Sequence, residues 1–436
     1  MEGEKLKIAW ICHFSNPEMR NKLNIEMPLI VRILRYVLKK NDNHYKTDES
    51  NFVTAALKEF KDFDSVDLHV ICVVDYLTSN EVRYTEGGIH YYFFKNEIKD
   101  ISYKLKRDFN LISKLSYPKN CAYVKQVIEE INPKLIHLIG AETPYYSSTI
   151  LDLPKTRPIL VQLQTLMNDP EFLSNYNISK ESYEIHAAIE RSIICKADYI
   201  GTIAEKFIPL ITKYVKPEAT IINTTLALTE KVDLIDKEKK YDFVYFAANI
   251  GKAVDWAIEA FGEASKIKES ITLDIIGDFS DELKKQLDNR IKELGVENQV
   301  FFEGRLPSHD DVLKQIKLSR FALLPLKIDL VSCTIREAMA NGLPTVTTIT
   351  PDTPKLNKKR ECILLSKPRD FKAMAMNMVK LLEDETYANT IRDNAIVTVS
   401  EATSNKQLML YWIEAYKVLI DNFYNGTSIP ESFISK

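Results

Sequence analysis

The segment Phe321–Thr347, FALLPLKIDLVSCTIREAMANGLPTVT, restricts the fold more than any other part of the chain. Phe321–Leu324 is a short apolar run closed by Pro325, too short for a helix and suited to a buried strand. A helix fits over Cys333–Ala340. Gly342 follows where a left-handed C-terminal residue belongs, and Pro344 stops the helix from continuing. Thr345–Thr347 then restarts an extended run. Strand, loop, helix, turn and strand in this order is the repeating unit of a parallel sheet, because parallel strands need a crossover. Two carboxylates, Asp329 and Glu337, stand on either side of the helix start with seven residues between them. Helix N-termini offer N–H groups and partial positive charge, which suits a phosphate.

The same alternation runs through the whole chain. In the first half, strands are expected at Leu6–Phe14, Asp67–Val74, Gly88–Phe94, Leu135–Ile139, Pro158–Gln164, Tyr199–Thr202 and Ala219–Thr224. Helices are expected over Ile25–Leu38 and Ser179–Cys195, and Ser15–Pro17 reads as a polar loop. Ala227–Tyr241 is charge-rich and reads as a linker. A second series follows, with strands at Phe243–Phe246, Thr272–Ile276, Val300–Glu303, Phe321–Leu324, Pro344–Thr347 and Cys362–Leu364. Helices over Val254–Ala264, Asp281–Leu294 and Ser308–Ile316 separate the first four of these, and Phe371–Phe423 is helical throughout by periodicity. Trp412, Tyr416 and Leu419 fall on one apolar stripe. The pattern predicts an α/β protein of two doubly wound, Rossmann-like domains in tandem, with ligands at the carboxyl ends of the strands.

Composition narrows the function classes. A net charge of -3 over 436 residues, with no basic tail, gives no field that favours nucleic acid. The six cysteines are far apart with no CxxC pair, against a thiolate zinc site and against a disulfide framework. The N-terminus runs directly into a strand-like segment and lacks the apolar core of a signal peptide. No run approaches the ~20 apolar residues that span a bilayer. The expected location is cytoplasmic, with peripheral membrane contact allowed. Lys104–Lys125 sets basic residues among apolar ones and reads either as a lipid-facing amphipathic surface or as a solvated helix face, the second being the commoner use of such a pattern. Asp62-Phe63-Asp64 has the spacing of an acidic metal motif but no strand context, and reads as chance.

From Asp242 onward the chain resembles the family 4 (group 1) retaining glycosyltransferases, of GT-B architecture. The resemblance rests on motifs in the family's order: FVYFAA followed by GKAVDWAIEAF, LDIIGD, LGVENQVFFEGRLPSHD, FALLPL, and the acid pair with REAMANGLP. The first half is similar at NPKLIHLIGAETP and RPILVQLQTL. The resemblance implies two domains facing across a cleft: an acceptor domain over 1–228, a linker over 229–241, a donor domain over 242–404, and C-terminal helices, with 405–436 crossing back to the first domain. It implies a nucleotide-sugar donor, UDP- or GDP-linked, and no metal or other cofactor. The acceptor would be a saccharide or lipid-linked saccharide, in cell-surface polysaccharide or glycoconjugate synthesis.

Residue by residue, Glu337 matches the family acid that holds the donor ribose, and Asp329 stands where the family has the acid that touches the transferred sugar. Lys252 matches the lysine that neutralises the diphosphate. The backbone N–H groups of Ser332, Cys333 and Thr334 would face that diphosphate. Arg305 and Leu306 lie in the base-contacting loop, and Gly277 and Asp278 line the same pocket. Asn16, His137 and Gln164 are the acceptor-side candidates, with His137 equally readable as a core histidine. Four departures stand out: Asp329 replaces Glu, Ser332 replaces Gly, Ala248-Asn249 replaces Gly-Arg, and Gln164 stands where many relatives have His. They motivate a second expectation, a GT-B nucleotide-sugar-binding or scaffold protein impaired in turnover.

Overall fold

The structure, a computed structural model, describes residues 5–29, 32–33, 48–97, 116–169, 180–202, 204–225, 227, 238–247, 253–327, 332–402 and 404–435. These form two compact units. One holds the described residues up to Ala227 together with those from Asn405 onward, and the other holds those between them.

The first unit is built on eight strands: β1 (Leu6–Cys12), β2 (Val66–Val74), β3 (Glu81–Glu86), β4 (Ile89–Lys95), β5 (Leu135–Ile139), β6 (Ile159–Gln162), β7 (Tyr199–Thr202) and β8 (Thr220–Asn223). Their order in the sheet is β3-β4-β2-β1-β5-β6-β7-β8, parallel except for the antiparallel β3–β4 edge pair. β1 is central, and its last five residues are buried because helices cover both faces of a parallel sheet. Its helices include α1 (Pro17–Lys22), α2 (Asn51–Phe60), α3 (Pro118–Ile131), α4 (Lys180–Lys196) and α5 (Phe207–Tyr214).

Several expectations change here. Ser15–Pro17 is not simply a loop: Asn16 caps α1, its Oδ1 accepting the Met19 N–H at 2.7 Å, and Pro17 takes the first helical position. The expected helix over Ile25–Leu38 fails at its start, since Ile25 bridges to Leu77 instead, and most of the rest lies outside the described residues. Residues 104–115 of the basic stretch also lie outside them. The remainder enters α3, whose stripe of Cys121, Val124, Val127, Ile128 and Ile131 is buried, so this apolar face meets the protein core and not lipid.

The second unit contains β9 (Tyr241–Phe246), α6 (Val254–Ser265), β10 (Leu273–Ile276), α7 (Asp281–Leu294), β11 (Val300–Gly304), α8 (His309–Ile316), β12 (Ser319–Leu323), α9 (Cys333–Ala340), β13 (Thr345–Thr348) and β14 (Leu364–Ser366). Its sheet is parallel throughout, in the order β11-β10-β9-β12-β13-β14. This is the doubly wound order in which the chain first winds one way from β9 and then, from β12, the other. Tyr241 already belongs to β9, so the linker is shorter than 229–241. The end of α9 is as the sequence predicts. Gly342 adopts φ +70°, and the Leu343 N–H closes a 3.0 Å bond to Ala338 O around it.

The helical tail is not continuous. It divides into α10 (Phe371–Glu383), α11 (Glu385–Ser400) and α12 (Asn405–Asn425). Asp384 makes the first break by capping α11, accepting the Tyr387 N–H at 2.8 Å. α12 packs in the first unit, where Met409, Trp412, Ile413, Tyr416 and Leu419 join Trp10 and Phe60 in one buried cluster. Among the described residues no helix is long and apolar enough to cross a membrane.

Candidate active site

In the second unit, β9 and β12 are neighbours, yet the chain leaves β9 toward β10 and β12 toward β13. The loops after these two strands diverge, and doubly wound sheets bind ligands at such a point. Lys252 belongs to the first loop and Asp329 to the second, and both lie outside the described residues, as do Ala248 and Asn249. The described flanks are joined. Lys327, leaving β12, pairs with Asp255 in the first turn of α6 at 3.0 Å, and its ammonium stands 5.6 Å over the Trp256 ring.

Gly277 follows β10. Its N–H donates to Gly304 O at 3.0 Å, and a Cβ here would stand 2.5 Å from Ala247 O and 2.9 Å from the Phe279 ring. Glycine is required by the close approach of the β9 and β10 ends. Asp278 and Arg305 face each other at 3.7 Å across the β10 and β11 loops, and Leu306 packs against the core beside them. Four of the expected donor residues thus share one edge of the sheet.

Ser332 is 2% exposed and occupies the capping position of α9 in an extended conformation, but its hydroxyl does not cap the helix. The first-turn N–H groups of Cys333 and Thr334 have no intrahelical acceptor in any α-helix and project along the axis. Glu337 lies one turn further on and is 7% exposed. His309 Nε2 lies 3.0 Å from Glu337 Oε1, and a carboxylate only accepts, so the imidazole donates. His309 is itself the first residue of α8, which Ser308 caps by accepting the Asp311 N–H at 3.1 Å. The Ser308 hydroxyl in turn donates to the Asp311 carboxylate at 2.6 Å. A capped helix therefore presents the histidine that orients Glu337. The Ser-x-x-Asp spacing of this cap can be read in the sequence, whereas nothing in the sequence links His309 to Glu337. Arg336 stands half-buried beside Glu337, and burial pushes its guanidinium below the ordinary value.

The three acceptor-side candidates are not brought together. The Asn16 side chain is occupied by its capping bond and by donation to Thr54 at 3.3 Å. His137 is a core residue. It is fully buried, its Nδ1 lies 2.7 Å from the Tyr416 hydroxyl, and burial pushes its pKa down to about 3. Gln164 alone stands at the carboxyl ends of β5 and β6. There Gly140, at φ +92°, leaves the space that the Tyr146 hydroxyl, the Gln164 amide and the Glu142 carboxylate border.

Two residues at this edge carry more chemistry than those expected. Glu142 Oε2 is buried without a hydrogen-bond partner, and desolvation raises its pKa. His13 follows β1 and pairs with Glu49. Burial would lower its pKa, but the Cys72 thiol and the Glu49 carboxylate carry it well above the ordinary value. The signal for Glu142 was present in GAET directly after a buried strand, where loop polar residues meet ligands.

The model of the glycosyl transferases group 1 family matches residues 229–398. No curated protein matches the chain in sequence. Among solved structures, sucrose-phosphate synthase from Thermosynechococcus elongatus superposes with a TM-score of 0.65 at 15% identity, covering 95% of this chain and 98% of that one. HepE of Anabaena, in complex with UDP-glucose, gives 0.63 at 15% identity over 94% and 99%. A glycosyltransferase from Rickettsia africae gives 0.57 at 13% identity over 96% and 100%. These likenesses show a shared fold, GT-B, with its two Rossmann-like units.

Proposed function

We propose that this chain, whose residues 229–398 belong to the glycosyl transferases group 1 family, moves a sugar from a nucleoside diphosphate to a saccharide or lipid-linked acceptor, with retention and without a catalytic metal. The supporting observation is Glu337, a carboxylate withdrawn from solvent and oriented by His309, one turn from a helix start at the divergence of β9 and β12. A carboxylate held in this way accepts two neighbouring hydroxyls, as a ribose offers. The diphosphate would lie against the start of α9 with Lys252. As the bond from the sugar carbon to the phosphate oxygen breaks, its electron pair passes to the diphosphate, whose charge the helix start and Lys252 stabilise. Asp329 orients the sugar. The acceptor hydroxyl oxygen then bonds the same carbon on the same face, and its proton passes to the departing diphosphate oxygen. No protein nucleophile is assigned, so a fluorinated donor analogue should trap no covalent glycosyl-enzyme. A UDP-linked donor is favoured because HepE, a protein of the same fold, binds UDP-glucose.

The test has two stages. Thermal denaturation with UDP, GDP and ADP comes first, since a ligand at about 100 times its Kd adds about 2.7 kcal/mol of stability. Release of nucleoside diphosphate from UDP-, GDP- and ADP-sugars, with and without saccharide acceptors, follows. A melt that no nucleotide shifts would remove the donor site altogether. A second reading, a nucleotide-sugar-binding protein without turnover, is favoured by buried Ser332 in place of glycine and Asn249 in place of arginine. It predicts a melt shifted by one nucleotide and no diphosphate release with any acceptor.

A further inference from the structure

We propose that Asp67, His69 and His90 form a binding site for one divalent transition-metal ion, Zn2+ foremost, on the first unit's sheet near the amino ends of β2 and β4. Asp67 and His69 lie two residues apart on β2 and therefore on one face. His90 is the direct register partner of His69 on β4. The rings stack with centroids 4.6 Å apart and planes 17° from parallel. His69 Nε2 lies 3.3 Å from Asp67 Oδ2, and His90 Nε2 lies 3.1 Å from Asp67 Oδ1. Among the described residues these three ligand atoms come within 4.8 Å of one another. Tetrahedral Zn2+ with bonds of about 2.1 Å separates its ligands by about 3.4 Å, close to both distances.

The opposite edges of the rings point to ligation. His69 Nδ1 lies 3.1 Å from the Tyr92 hydroxyl, and His90 Nδ1 lies 2.8 Å from Thr85 Oγ1. Thr85 is held directly across from His90 by the β3–β4 register. A hydroxyl can accept from an Nδ1–H, and in that tautomer both Nε2 lone pairs face Asp67, as ligation through Nε2 requires. His69 is 6% exposed, and its Nε2 makes no hydrogen bond in spite of its distance to Asp67. Two imidazoles and a carboxylate suit Zn2+ better than Mg2+ or Ca2+, which prefer all-oxygen sets. The His90 side chain is 37% exposed, so a water can complete the coordination.

Lys7 on β1 is the register partner of Asp67, which places a positive charge on the same face of the sheet as the cluster. The cluster sits near the amino ends of β2 and β4, the far end from the strand termini that carry His13 and Gln164. Its effect is thus to clamp the edge of the sheet, with no step in sugar transfer.

The test uses the full chain freed of metal with EDTA and titrated with ZnCl2 by calorimetry. The expected result is one Zn2+ per chain and a raised melting temperature. Co2+ in its place should show visible d–d absorption without thiolate charge-transfer bands. Cys195→Ser removes the exposed thiol and should change nothing. The half-exposed His90→Gln, and His69→Gln with it, should abolish both stoichiometric uptake and the thermal shift while keeping the far-UV circular dichroism of the metal-free chain. Absence of stoichiometric uptake by the native chain, or undiminished uptake by folded His90→Gln, would overturn the assignment.

Discussion

Glu337, Gly277 and Tyr416 each depend on a different physical constraint. Removing the Glu337 carboxylate deletes the proposed ribose contact and strands the His309 N–H. Charged hydrogen bonds contribute about 1.5–3 kcal/mol, so Glu337→Ala should weaken nucleotide binding by about tenfold or more in calorimetry. Asp329→Ala should instead slow transfer with nucleotide affinity nearly intact, and an equal loss of affinity in both would contradict these roles. At Gly277 the constraint is space: the added methyl of Gly277→Ala meets the Ala247 carbonyl at 2.5 Å. Backbone cannot give way as a side chain can, so this change should cost about 1–3 kcal/mol in urea unfolding. Tyr416 holds two buried partners. Its hydroxyl accepts from Trp10 Nε1 at 3.0 Å and lies 2.7 Å from His137 Nδ1. Tyr416→Phe removes this bond from the Trp10 Nε1–H and from His137 Nδ1 and should destabilise by about 2–4 kcal/mol, more than a lone surface hydroxyl would. An unchanged denaturation midpoint would show that the network does not hold the helix.

At the scale of elements, the buried parallel strands were the easiest to read. Ile8–Cys12 is a continuous apolar run, and Leu135–Ile139 is apolar but for His137, because both faces of their sheet are covered. β3 escaped because EVRYTE alternates exposed and half-buried residues at a sheet edge, with a pattern that looks like loop. α2 escaped because charge-rich sequence surrounds it, although Val53, Ala56, Leu57 and Phe60 form its buried stripe. α9 was legible to the residue because its C-terminal glycine and following proline are strong local signals. The described residues proposed for the donor side share one sheet edge for a related reason, since strand, turn and helix order places them there. The metal cluster was not readable, because its histidines come from different strands and only the register brings them together. The same holds for His309 and Glu337, which are 28 residues apart in sequence.

For the molecule as a whole, two buried groups of the unit that contains α12 respond to acid in opposite senses. His137 takes up a proton in the fold only near about pH 3, whereas an unfolded histidine does so near 6.5. Below about 6.5 the unfolded chain therefore binds more protons, and stability falls as pH falls through that window, by at most about 5 kcal/mol. Glu190 works in the opposite sense. Its buried carboxylate, which accepts the Met167 and Asn168 N–H groups at 3.0 Å each, has its pKa raised to about 7 by desolvation. Its contribution declines as pH rises from the ordinary carboxyl range toward 7. Because the two groups oppose each other, the test is a difference: from about pH 7 to about pH 4, urea midpoints followed by tryptophan fluorescence should decline in the native chain relative to His137→Asn. A fall of equal slope in both would assign the acid sensitivity elsewhere.

The place of α12 also sets an order of assembly during synthesis. The cluster around Trp10 and His137 is completed by Trp412 and Tyr416, which leave the ribosome after the whole of the second unit. At typical elongation rates that interval is on the order of ten seconds or more, and through it the first-made sheet carries an uncovered apolar face. The later-made unit can close its own core before the earlier one does. A nascent chain stopped before Asn405 should therefore hold a protease-resistant second unit and a first unit that chaperones still bind.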